Sequence, residues 1–203
     1  TTLAAEHITR SGIVAMAYQQ EPINVLWTLR NDGVLAAVTH YPTEKVWGWH
    51  RHIIGGHSDA ADTQAAVVES ISCIPEPGGT YDELWMVVRR NINGTTKRYI
   101  EYMQKYYESD MNLDDAGCCD SRFTYDSTPT NTVSGLGYLE GETVKVMVDG
   151  KSHPNLTVSS GAITLANGVQ GSTIQVGLSY SWKIVTNRIE VKTKDLDTAQ
   201  GKI

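Results

Sequence analysis

The chain has 203 residues, a formal net charge of −6 and a pI near 5.5, which excludes a binder that grips phosphate with a broad basic face. Apolar residues make up 40% and charged residues 20%, the balance of a globular chain able to bury its own core. No apolar run approaches the roughly 18 residues of a spanning helix, so no membrane-spanning segment is expected.

The first clear strand is Val25-Leu26-Trp27-Thr28-Leu29-Arg30, followed by Asn31-Asp32-Gly33. Asp-Gly between apolar runs predicts a hairpin, with Val34 to His40 as the return strand. Lys45 to Ile53 forms another run, with Trp47 and Trp49 on one face and His50 and His52 on the other. Ala60 to Ala66 is the small helical candidate of this half. Val67 to Ile74 is a strand ended by Pro75-Glu76-Pro77-Gly78-Gly79. Glu83 to Arg90 pairs through Asn93-Gly94 with Thr95 to Tyr102. Leu26-Trp27 and Leu84-Trp85 each enter a hairpin, each followed by an Arg and a Gly turn (Arg30 and Gly33, Arg89 and Gly94). Such a repeat suits propeller blades, and equally two ordinary hairpins of one sheet.

Composition shifts near residue 107. Glu108, Asp110, Asp114, Asp115, Asp120 and Asp126 are opposed only by Arg122, and Thr128-Pro129-Thr130-Asn131-Thr132 reads as a linker. Thr143 to Val148 then alternates into the Asp149-Gly150 turn, followed by Leu156 to Ser159, Ala162 to Leu165 and Ser172 to Leu178. Four short strands fit a small β-barrel or sandwich. The expected organisation is an all-β, antiparallel chain: a propeller-blade-like unit over 1–107, an acidic loop and linker over 108–127, a small β-domain over 128–181, and a strand over 182–203 returning to the first unit. Trp27, Leu84, Trp85 and Val87 are expected in the first core, and Val144, Val146 and Val148 in the second. Ten Tyr and five Trp against one Phe agree with β-structure and half-buried faces.

No enzymatic motif emerges: G-x-S-x-G, P-loop and H-E-x-x-H patterns are missing. His50 and His52 share a strand face, the geometry of a strand-borne metal pair, with His57 and Asp59 nearby; the blander expectation is that they form the wetter face of one strand. Asp110-Met111-Asn112-Leu113-Asp114 begins like a calcium loop but has Asp115 where Gly is required and Ser121 where a bidentate Glu is required. Cys73, Cys118 and Cys119 do not form a disulfide framework or a zinc motif, and adjacent cysteines make a strained ring. Free, buried or half-buried thiols and a reducing compartment of synthesis are expected. The acidic segment 108–126 invites a glycosidase reading, which needs two carboxylates across a cleft; a solvated face is the plainer expectation. No catalytic residue, cofactor or metal is therefore assigned. The chain opens on Thr1 rather than Met and closes on Gly201-Lys202-Ile203; a piece of a longer polypeptide without a signal peptide is expected.

Tyr18-Gln19-Gln20-Glu21-Pro22, Leu26-Trp27, Asp32-Gly33 and Gly48-Trp49-His50-Arg51-His52 together resemble a signature of phage tail nozzle proteins, tail-tube components of short-tailed phages and related prophages. Val68-Glu69-Ser70, Asp82-Glu83-Leu84-Trp85, Val87-Val88-Arg89-Arg90, Asn93-Gly94 and Arg98-Tyr99-Ile100-Glu101 resemble the same family. So do Gly135 to Val144, Asp149-Gly150 and Thr198-Ala199-Gln200-Gly201-Lys202, which carries the resemblance over almost the whole chain. It implies a structural virion protein made in the host bacterial cytoplasm, with propeller and small β-domains. The implied assembly is a ring, expected to be a hexamer, below the portal and adaptor and near tail fibre or needle proteins. Double-stranded DNA would pass through its bore without tight binding, and an acidic conduit suits that passage. The alternative is a carbohydrate-binding or polysaccharide-depolymerising tail module. The two differ in whether aromatic rings and carboxylates share one open cleft.

Overall fold

The computed structural model describes residues 2–185, 190–193 and 196–200. Its sheets are antiparallel throughout. A short helix, α1 (Thr2–Thr9), leads into a four-stranded meander of β1 (Ile13–Gln19), β2 (Val25–Arg30), β3 (Leu35–Tyr41) and β4 (Val46–His52). A second meander follows, made of β5 (Val67–Pro75), β6 (Asp82–Ile92) and β7 (Thr95–Tyr102). Beyond it lie β8 (Asp120–Thr130), β9 (Thr132–Ser134), β10 (Thr143–Val148), β11 (Lys151–Thr157), β12 (Ala162–Thr164) and β13 (Gly171–Leu178). These form a sheet in the order β11-β10-β13-β8 and a small β12-β9 pair. Among the described residues no sheet closes into a barrel, and the arrangement is sandwich-like.

Turn chemistry fixes the hairpins. Asn93-Gly94 and Asp149-Gly150 both hold two consecutive residues at positive φ, the primed turn whose twist matches that of the flanking strands. Asp32-Gly33 works differently. Arg30 and Val34 close a three-residue loop by a 3.1 Å bond, and only Gly33 has positive φ (+77°). A Cβ at Gly33 would lie 2.4 Å from Val67 Cγ1, so the bare backbone also lets β5 approach this turn.

Two cores result. The first gathers Val25, Trp27, Leu29, Leu35, Ala37, Val68, Leu84, Met86 and Val88 between the two meanders. The second is built on Val144, Val146 and Val148 of β10 with Ile174, Val176 and Leu178 of β13, closed by Val133, Leu136, Leu139 and Ile163. Strand β6, eleven residues long, enters both: Leu84, Met86 and Val88 belong to the first core and Ile92 to the second.

Several expectations are corrected. Leu84 is buried but Trp85 and Val87 are only half-buried, because alternation sends neighbours to opposite faces. Trp85 lies on the outer face, stacked on Tyr102 with ring centroids 5.1 Å apart, and its indole N–H donates to Glu83 Oε2 at 2.9 Å. Trp27 points inward, so the Leu-Trp repeat is out of phase between the two meanders. The segment 60–66 is not helical; it is a loop in which the Asp59 carboxylate accepts the Thr63 and Gln64 N–H groups at 3.0 and 2.9 Å. Helix α1 and strand β1, the latter apolar without clear alternation, went unforeseen. The acidic loop and linker becomes strand from Asp120 onward, since Phe123 and Tyr125 of β8 pack on the second core. Residues 181–185 have no regular structure, and β14 (Glu190–Thr193) pairs with β15 (Leu196–Gln200) rather than with the first unit; the rest of the expected returning strand lies outside the described residues.

Trp27→Ala is expected to cost about 3–5 kcal/mol, as a fully buried large-to-small change, and Trp85→Ala only about 1–2 kcal/mol, because its ring is partly wet. Chemical denaturation of both variants checks the order; equal losses would refute the facing assigned to β6.

Candidate functional site

The seam between the two cores is polar and closely tied. Inward parity along β6 runs Leu84, Met86, Val88, Arg90, Ile92, and so places a guanidinium where apolar side chains otherwise stand. Arg90 has no exposed surface. Its Nη1 and Nη2 donate to the two Glu101 carboxylate oxygens at 2.5 and 3.0 Å, its Nε donates to the Gly55 carbonyl at 2.7 Å, and its Cζ lies 5.8 Å from the Tyr99 ring centre. The Gly55 N–H in turn donates to Asp120 Oδ2 at 2.7 Å. Glycine is required at both positions of this loop: a Cβ at Gly55 would lie 2.7 Å from the Ser179 carbonyl, and one at Gly56 (φ +89°) 2.9 Å from Arg90 Cδ. The Tyr99 hydroxyl donates to the Tyr138 carbonyl at 2.8 Å, and the Tyr138 hydroxyl to the Ser121 carbonyl at 2.9 Å. Burial raises the Tyr138 phenol to about 12 and also pushes the Asp120 carboxyl up, against the pull of the Gly55 N–H and Arg90.

This seam floors a cleft of about 1800 Å³. Its walls are β4 and β7 of the two meanders, the start of β8, and the irregular segments 103–111 and 180–185. Glu101, Asp120, Tyr99 and Tyr138 form the floor; Trp49, Tyr102, Tyr106, Tyr107, Tyr180 and Trp182 stand around it. Aromatic rings and carboxylates therefore do share one open cleft. Glu101 is held by Arg90 through both oxygens, while Asp120 accepts the Gly55 N–H on Oδ2. The sequence signals for this site were Gly55-Gly56 and an Arg on the inward parity of a strand, which requires a buried partner.

His50 and His52 line the same cleft, but they are not the wetter face of β4. They pack inward on Trp27, with centroids 6.0 and 5.1 Å away, while Trp47 is exposed and stacks on His40. His50 Nδ1 and His52 Nε2 are 2.7 Å apart, and His50 Nε2 lies 2.9 Å from Thr39 Oγ1. Burial lowers both imidazoles, His52 to about 4. His57 is elsewhere, bridged to Ala65, and Asp59 caps its own loop. Among the described residues no three His, Cys, Asp or Glu side chains converge as a metal site. The Asp110–Asp114 stretch is a turn with a short 3-10 segment over Leu113–Asp115, and the Asp114 carbonyl accepts from Gln175 Nε2. The cysteines are unpaired: Cys118 is exposed, against expectation, while Cys73 and Cys119 are half-buried and burial raises both thiols to about 11. A thiol held protonated at neutral pH is a poor nucleophile.

No protein-family model matches the chain, and no curated protein matches it.

Two outcomes follow from this geometry. Arg90→Met strands Glu101 without its cation and is expected to cost about 3–5 kcal/mol, much of it recovered in Arg90→Met/Glu101→Leu; urea titration of the three proteins measures this, and a single-variant loss under about 1 kcal/mol would contradict it. For the histidines, the folded pKa lies below the unfolded value, so the unfolded chain takes the proton first as pH falls. The contribution of His52 is complete above 6.5 and lost toward 4, about 3 kcal/mol. Urea midpoints measured across that window should fall less in His52→Gln than in the unsubstituted protein; parallel curves would refute the assignment.

Proposed function

We propose that the chain is a structural subunit of a phage tail nozzle, part of the tube that conducts double-stranded DNA out of a short-tailed virion. It is made in the bacterial cytoplasm and assembles as a ring of six with portal, adaptor and fibre or needle proteins as neighbours. The sequence resemblance supports this reading, and one physical observation supports it most: large apolar side chains project outward from edge strands. Val14, Met16 and Tyr18 stand on the outer face of β1 at 57–65% exposure, and Ile100 and Tyr102 on that of β7. Open apolar strand faces mark surfaces that a partner covers. A closed ring covers them by one heterologous contact repeated around the axis. The excess of Tyr over Phe suits faces that are wet before assembly and dry after it. The charge of −6 suits a wall along which phosphate slides. The shared cleft of rings and carboxylates favours the carbohydrate-binding alternative; its depolymerase form is weaker because Arg90 holds Glu101 through both oxygens.

The test is assembly. Sedimentation of the protein with its portal and adaptor should give a ring, and Met16→Lys with Ile100→Lys should return it to monomer without loss of the β-type circular dichroism spectrum. DNA affinity should be weak and should vanish with added salt. A protein that stays monomeric beside portal and adaptor, or that holds duplex DNA tightly at high salt, would refute the conduit.

A further inference from the structure

We propose that residues 180–185 are a strand donated to a second copy of this chain, where they pair along the open edge of β7. The first ground is the donor. Tyr180, Trp182 and Ile184 alternate with Ser181 and Lys183, the period-2 pattern of β-forming residues that a half-buried strand requires. The segment nevertheless has no regular structure, and among the described residues no backbone hydrogen bond joins it to a strand. Both of its parities stand open to solvent: Trp182 and Ile184 are each 76% exposed and Val185 78%. Its root is fixed. The segment leaves β13 after Leu178, and the Ser179 carbonyl lies so close to the seam that a Cβ on Gly55 would meet it at 2.7 Å.

The second ground is the acceptor. Among the described residues β7 pairs with β6 and with no other strand. The bond from the Met103 N–H to the Leu84 carbonyl sets the phase of that ladder. Thr95, Lys97, Tyr99 and Glu101 bond to β6, so Thr96, Arg98, Ile100 and Tyr102 turn their N–H and C=O groups to the open edge. No backbone bond reaches that edge among the described residues. A row of unpaired backbone groups is a template for an added strand. Ile100, at 75% exposure, and Tyr102 also carry the outer face of β7. A strand that brings Trp182 and Ile184 to that face covers apolar surface on both partners. Alternation then puts Lys183, the segment's one charge, on the opposite face, beside Glu101 rather than Arg98.

Donor and acceptor lie on one chain, so each copy gives a strand and receives one, a heterologous contact. The inference deepens the ring reading and rests on it for closure, since the same contact repeated without closure gives a filament.

The experiment titrates a fluorescent peptide of residues 179–185 with the purified full chain, followed by anisotropy, with a peptide of the same composition and scrambled order as reference. Ile100→Pro is the deciding variant. Its missing N–H faces the open edge, so the β6 ladder and the β-type circular dichroism spectrum are kept, while an added strand loses a bond and meets the ring. Trp182→Asp with Ile184→Asp, at exposed positions, is the second. Binding of the native-order peptide alone, a loss of at least about tenfold in Ile100→Pro, and self-association abolished by either change in sedimentation are expected. No peptide binding, as when the segment fills the edge of its own chain, equal binding of the scrambled peptide, or full affinity in Ile100→Pro would overturn the proposal. Self-association that survives both changes but not Met16→Lys would overturn strand donation and leave the ring. Peptide binding lost in Ile100→Pro, with no closed ring beside portal and adaptor, would overturn the ring and leave the donation.

Discussion

A guanidinium with no exposed surface is costly unless its donors are matched, and the fold is arranged around matching those of Arg90. Glu101 on the next strand takes two of its N–H groups in a parallel fork, and the carbonyl of Gly55 takes a third. Each partner comes from a different part of the chain. β7 must therefore hold its register on β6, and the loop after β4 must cross directly beneath, with a glycine where any side chain would strike Ser179 or Arg90. The same loop hands its N–H to Asp120 at the start of β8. The buried cation thereby joins β6 and β7 to the loop after β4, and that loop's own N–H extends the joint to β8.

Strand β6 carries this joint because it is long enough to serve two cores. Its first half completes the apolar layer under Trp27, and its end reaches Ile92 in the second. Between them the sheet cannot be apolar on both sides of the seam, and the polar pairs of Arg90, Tyr99 and Tyr138 fill that interval. The cleft opens directly above. Its floor is tied by the bonds of Arg90, Tyr99 and Tyr138, and its rim carries exposed rings, of which Tyr102 stacks on Trp85 and Tyr107 donates to the Met111 carbonyl.

The strands of the first unit from Val25 onward, and those around Val144–Val148, were legible because Asn-Gly and Asp-Gly turns bracket alternating runs. What alternation could not give was the phase of a doublet such as Leu84-Trp85, where both residues are apolar and only one fits the core. β1 was illegible for a related reason: Ile13 to Ala17 is apolar on both parities, and its outer face is left open. β8 was hidden by charge, since Asp120 and Asp126 obscured Phe123 and Tyr125. The candidate site was least legible of all. Its floor unites Gly55, Arg90, Glu101, Asp120 and Tyr138, which no local spacing connects, and its His50–His52 pair was visible as a pair but with the wrong side of β4 taken as wet.

If Arg90 fastens the two cores, they must melt together. Differential scanning calorimetry near neutral pH measures this most directly. One transition, with calorimetric and van't Hoff enthalpies in agreement, is the predicted result. Two resolved transitions, one for each core, would contradict the claim that a single buried ion pair makes the sheets one cooperative body.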